Sequence, residues 1–312
     1  MTEAASTDPH DQDQSELAEV LQEVRRIEVQ SDRLVSSVMA GSYSSVFRGS
    51  GVEFDEVREF VEGDDPRLID WSVTARQGRP FVKKYVDERE LTVLFALDLS
   101  ASMHGGFGIW SARQMAVRVC ACLGFSAVRN HDKVGLLTFS GEVDSYTPAK
   151  KGRGHALRIV RDGLLARAGS DRGAFEPMLA YVSRVTRRRS VLFVLSDFFG
   201  FRGSKELGRC ARRHDVVAVR MLSPELFPPE AGMVQLRDPE TGAVTLVDWQ
   251  SARVREAYAQ RVAAWRDFTA AELDRCGADL MDVPVPLRFD KDAVARPILE
   301  FFRMRQERGM KR

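Results

Sequence analysis

In the stretch LFALDLSASM, residues 94–103, an apolar run ends by placing Asp98, Ser100 and Ser102 at alternate positions. A second apolar run, SVLFVLSDF, ends in Ser196 and Asp197, and the polar stretch ARAGSDRGAF between the two carries Ser170 and Asp171. Three loops therefore bring carboxylates and several hydroxyls together. Oxygen donors without His or Cys select hard cations, and Mg²⁺ favours a few protein oxygens, several waters and octahedral geometry at about 2.0–2.1 Å. In that chemistry Ser100 and Ser102 are direct hydroxyl ligands, while Asp98 and Asp197 hold coordinated water and supply negative charge. The alternative is structural, because Ser and Asp also cap helices where a strand turns into one.

The elements that must position these residues follow from periodicity. From Leu91 onward, apolar strands alternate with amphipathic helices: LTVLFALD, KVGLLTFS, SVLFVLSDF and VVAVRML read as strands, with helical spacing between them. Strands apolar at every position are buried on both faces, which predicts an α/β, doubly wound, mainly parallel sheet. In such sheets ligands bind beyond the carboxyl ends of the strands, where both acid-tipped runs end. The reading divides the chain into a polar, disordered tail over 1–16, a helix and irregular α+β lobe over 17–90, and the main domain over 91–312. A hairpin turning at DPETGA and a long helix interrupt the alternation at about 234–276, before ADLMDVPV joins the sheet as its last strand.

Composition narrows the classes. Forty-six basic residues stand against 45 acidic ones, which does not suggest nucleic acid or an anionic membrane as the main partner. The six acids of the first twenty residues and the basic end FFRMRQERGMKR read as solvated ends. Cys120, Cys122, Cys210 and Cys276 form no CxxC pair and read as reduced core residues. No apolar run approaches the roughly 18 residues that span a bilayer, and the N-terminus lacks the pattern of a signal peptide, so the expected location is the cytoplasm.

The segment GDDPRLIDW, with AR at 75–76 and SDF at 196–198, closely resembles the signature of the domain of unknown function 58 family. The D-x-S-x-S pattern of Asp98, Ser100 and Ser102, a hydroxyl on an intermediate loop and the later Asp197 resemble the metal-ion-dependent adhesion site of von Willebrand factor A domains. That resemblance implies a metal centre of Asp98, Ser100, Ser102, Ser170 and Asp197 holding Mg²⁺ or Mn²⁺, and a non-enzymatic adaptor partnered by a MoxR-type AAA+ ATPase. Ser170 stands where the family carries Thr, which keeps the oxygen but loses the methyl group that restricts its rotamer. Around GDDPR, Asp64, Asp65 and Asp70 with Arg58, Arg67, Arg76 and Arg79 read as a salt-bridged network fixing the lobe, with a docking surface as the alternative, and Trp71 reads as an anchor within the lobe.

Rival chemistries fit less well. A haloacid-dehalogenase-type phosphatase also uses an Asp after a hydrophobic strand, but it needs a second Asp two positions later as general acid, and Ser100 stands there. GSYSSVFRGSG, FVKK and SDFFG resemble kinase fragments with the wrong glycine spacing and no HRD loop, and neither G-x-S-x-G nor a P-loop occurs. A scaffold with a vestigial metal site is the remaining alternative.

Overall fold

The computed structural model describes residues 9–34, 47, 53–86, 90–167, 169, 174–227, 232–239 and 241–310. It forms two units, one of residues 1–46 with 91–312 and the other of residues 47–90.

The larger unit is built on a six-stranded sheet. Its strands are β3 (Thr92–Asp98), β4 (Lys133–Phe139), β5 (Val143–Lys150), β6 (Val191–Ser196), β7 (Asp215–Leu222) and β10 (Asp279–Pro284). They lie in the order β10-β7-β6-β3-β4-β5, all neighbours parallel except the edge pair β4 and β5. Strand β10 joins β7 in parallel, as the reading of ADLMDVPV expects. The order is that of a doubly wound sheet: β4 and β5 are added on one side of β3, and β6, β7 and β10 on the other, so the winding reverses between the parallel neighbours β3 and β6.

Alternate residues of β3 face opposite sides, which explains why the run is apolar throughout. Leu94 and Ala96 pack with Met178, Leu179 and Val182 of α5 (Phe175–Val185), Leu207 and Cys210 of α6 (Lys205–Arg213), and Leu273 of α7 (Ala252–Arg275). On the other face Phe95 stacks on Phe193 at 5.6 Å beneath Gly124 of α3 (Ala112–Arg129). Helix α3 starts with a reciprocal cap, in which Ser111 and Gln114 each bond the other's backbone N–H, and almost its whole surface is buried. Helix α4 (Arg153–Leu165) fits against α3 through Gly163, where a side chain would press on Val117. The interruption before β10 is as expected: β8 (Met233–Arg237) and β9 (Val244–Asp248) form an antiparallel hairpin ahead of α7.

Two terminal segments differ from the sequence reading. Helix α1 spans Pro9–Leu34, beginning well before the apolar stripe and inside the expected tail, and it belongs to the larger unit rather than to the lobe. Val24 and Ile27 are buried, Glu23 pairs with the buried Arg118, and Glu28 and Asp32 pair with Arg153. The last helix, α8 (Ala295–Met310), is not simply solvated. Phe301 and Phe302 are buried, and Arg305 pairs with Asp215 at 2.8 Å and Asp279 at 3.1 Å. Cys120, Cys122 and Cys210 are buried, Cys276 is partly exposed, and none of the four forms a disulfide. Among the described residues no helix is long and apolar enough to cross a membrane.

In the smaller unit, β1 (Glu53–Glu59) pairs antiparallel with β2 (Phe81–Val86), joined through a short turn and α2 (Trp71–Gln77). The acids of GDDPRLIDW serve this local geometry. Asp64 takes a two-pronged bond from Arg58, Asp65 accepts from Arg67 N, and Asp70 caps α2 through Ser72 N and Val73 N. Trp71 is 71% exposed, so it is not the anchor that its size suggested.

His214, which follows α6, is buried with a defined protonation state. Its Nδ1 accepts Ser190 N–H at 3.2 Å, and its Nε2 lies 3.4 Å from Thr186 Oγ1, whose own proton goes to Val182 O. A ring nitrogen that accepts a backbone N–H cannot carry a proton as well. Burial pushes the ring down to about 4 from 6.5, helped by Arg213 and Arg189. Because the folded value lies below the unfolded one, this stabilisation is complete above pH 6.5 and is lost as pH falls towards 4. Denaturant melts across that window should lose on the order of 3 kcal/mol from this residue, and His214→Asn should flatten that part of the profile. An unchanged profile in the variant would assign the acid sensitivity to other groups.

Candidate metal centre

Asp98 and Ser196 are the last residues of β3 and β6, so the reversal of the sheet sets them side by side. Asp98 is 1% exposed and Asp197 5%. Asp98 Oδ2 accepts the Ser196 hydroxyl at 2.5 Å and Oδ1 accepts Ser100 N–H at 2.8 Å, while Ser100 Oγ and Ser102 Oγ lie 3.3 Å apart. Asp197 Oδ1 accepts Phe199 N–H at 2.9 Å. Four of the five sequence-predicted residues, Asp98, Ser100, Ser102 and Asp197, therefore come from the adjacent ends of β3 and β6. Ser170 lies outside the described residues, as does Asp171.

The chain on either side of Ser170 is nevertheless anchored here. Gly169 N donates to Leu99 O at 2.9 Å, Leu99 N donates to Phe139 O at 2.8 Å, and Ala174 N donates to Ser140 O at 2.6 Å. A Cβ on Gly169 would overlap Ser140 Cβ and Oγ. Gly169→Ala should drive residue 169 off Ser140 and lower the melting temperature, and adding Ser140→Gly should restore it. Thermal denaturation of both variants checks this, and no recovery in the double variant would mean that the overlap is not the cause.

Ser196, named in the sequence at a strand end, carries a role that the sequence reading did not assign to it. It is fully buried, bonds Asp98, and accepts Phe198 N–H at 2.9 Å, so it orients the carboxylate from behind. Its only signal was its place before Asp197 at a strand end. Phe198 then adopts a φ of +57°, which a bulky side chain rarely does. The ring is held by stacking on Phe175 at 5.3 Å and by Phe201 edge-on at 5.8 Å, so packing enforces the turn that presents Asp197. His104 Nδ1 lies 3.1 Å from Ser100 O, and burial disfavours protonation of the ring.

Electrostatics single out Asp98. Burial pushes its carboxyl up to about 6, the Asp197 charge adds to the rise, and bonds from Ser196 and Ser100 oppose it. Two buried acids that repel are an expensive arrangement for the apoprotein and a favourable one around a cation. Among the described residues no three His, Cys, Asp or Glu side chains converge, so the donor set is two carboxylates with neutral hydroxyls. That set fits a hard divalent ion retaining waters.

A profile of the family described as "Protein of unknown function DUF58" matches residues 56–267. Uncharacterized proteins of Mycobacterium tuberculosis and Mycobacterium bovis are each 32% identical over 277 residues, covering 87% of this chain and 86% of their own. Among solved structures, the conserved hypothetical protein BatB of Bacteroides thetaiotaomicron matches with a TM-score of 0.41 and 18% identity, over 70% of this chain and 99% of that one. The VWA domain of SpRpn10 matches with a TM-score of 0.38 and 14% identity, over 67% of this chain and 95% of that one. By the span of the profile match and the identity to the mycobacterial proteins, the chain belongs to the DUF58 family.

Proposed function

We propose that the protein is a non-catalytic adaptor that binds a protein partner through a divalent cation held by Asp98, Ser100, Ser102, Ser170 and Asp197. The observation that supports this best is the convergence of two buried carboxylates and paired hydroxyls at the switch point between β3 and β6. A cation held largely by neutral hydroxyls keeps positive charge and exchangeable waters, and so attracts a carboxylate from another protein. Mg²⁺ or Mn²⁺ would fill that role. The partner that the family resemblance implies is a MoxR-type AAA+ ATPase. Phosphoryl chemistry is disfavoured because Ser100 supplies no general acid two residues after Asp98.

Calorimetric titration with Mg²⁺ and Mn²⁺ is expected to give one saturable site. Binding to a purified, nucleotide-free MoxR-type ATPase is expected in Mg²⁺ and not in chelator. Equal binding in both conditions would leave the metal a structural role only, and hydrolysis of a generic phosphate ester would favour the phosphatase reading.

A further inference from the structure

The near-zero net charge of the chain hides a strongly uneven distribution. Residues 184–214 hold nine Lys and Arg against two acids, Asp197 and Glu206. Part of this excess lines a cavity of about 860 Å³ along α6, walled by Arg202, Lys205, Arg209 and Arg212, with Arg275 at the end of α7 facing them. All five are exposed side chains, and positions 205, 209 and 212 follow helical spacing opposite the buried Leu207 and Cys210. Three acids also line the cavity. Glu206 pairs with Arg209 and Glu272 with Arg275, while Glu176 belongs to α5. Among the described residues Arg202, Lys205 and Arg212 enter no ion pair, so the cavity carries cations that nothing within it balances.

We propose that this cavity is a docking groove for an acidic segment of a partner protein. Five bases against three acids make it electropositive, and three of the bases lie along one face of α6 in its wall, an arrangement suited to a chain of carboxylates. Nucleic acid fits less well. Among the described residues no aromatic side chain lines the cavity to stack a base, and the three carboxylates would face a continuous phosphate backbone. The groove works without the metal. It is close to it, however, because Gly203 at its wall follows Asp197 by six residues, a reach of about 20 Å at most. One partner surface can thus cover both.

The test uses the full chain with a fluorescent decaglutamate peptide, in EDTA so that the metal centre takes no part. Saturable binding that weakens as ionic strength rises is expected. Arg209→Glu with Arg212→Glu should lower the affinity at least about tenfold, equivalent to about 1.4 kcal/mol. Reversing Arg253 and Arg261, exposed elsewhere on α7, should change it less than about twofold. Cys276 also lines the cavity and is partly exposed, so the peptide should slow its alkylation. Arg209→Gln with Arg212→Gln serves if the reversal disturbs folding. Absence of decaglutamate binding, unchanged binding by the charge variants, or no protection of Cys276 would overturn the groove. So would tighter binding of a single-stranded oligonucleotide of equal charge. Failure of the metal reading shows separately, as absence of a Mg²⁺ isotherm.

Discussion

Asp98→Asn is expected to lower Mg²⁺ affinity at least about tenfold while leaving the metal-free protein as stable as before or more so. The two halves of this result have one cause. In the folded chain the Asp98 carboxyl titrates near 6 against a usual 3.8, so the protein binds a proton there more tightly folded than unfolded. The sign is therefore a loss of stability as pH rises through that interval, and at neutral pH the ionised side chain costs the apoprotein free energy. Asparagine removes the charge, and its amide oxygen can still accept from Ser196 or Ser100 N. In the proposed centre a cation would lose one of its two carboxylates. Thermal denaturation in chelator, paired with Mg²⁺ calorimetry, checks both halves. Unaltered Mg²⁺ affinity would place the metal elsewhere, and a large drop in chelator stability would make Asp98 a structural cap after all.

Asp282→Ala should destabilise the larger unit by about 3–5 kcal/mol, seen as a fall in melting temperature on the order of 10 °C. Arg220 is 2% exposed and gives two bonds to Asp282, at 2.7 and 3.0 Å, with a third to Arg266 O at 2.8 Å. These residues are directly opposite in the β7–β10 register, and the guanidinium lies 5.3 Å from the Trp265 ring of α7. Truncating the acid strands a buried cation, which costs far more than the intact pair contributes. Arg220→Met with Asp282→Leu removes both charges and should recover most of the loss. A small effect of Asp282→Ala would show that water reaches Arg220 once the acid is gone.

The parts of this protein legible in the sequence are those that bury surface on a simple period. Strands β3 and β6 announced themselves as unbroken apolar runs, and the hairpin was marked by DPETGA. With the strands placed, the rule that ligands gather at carboxyl ends points to the loops where the structure brings Asp98, Ser100, Ser102 and Asp197 together. What escaped depends on long-range partners. The first turns of α1, PHDQDQSE, carry no apolar stripe, so only neighbouring turns of the helix identify them as helical. Arg305 looked like a solvated basic end because Asp215 and Asp279 lie far away in sequence. Trp71 looked like an anchor because size correlates with burial, yet position on a short surface helix prevailed. Ser196 bonds across to a residue 98 positions earlier, a relation that no local pattern encodes.

Strand β5 bears on how this molecule avoids its own kind. It is the antiparallel outer edge of the main sheet, and it carries Asp144, Pro148 and Lys150 with two breaks in its register against β4. A proline offers no amide hydrogen, and charges and irregular pairing spoil the flat row of groups that a foreign strand would need. Growth of the sheet by recruiting another chain is thus discouraged along this border, and crowding at high expression should not drive fibrillar stacking there. Recognition at this side is left to side chains, whose pattern can be tuned residue by residue without altering the scaffold beneath.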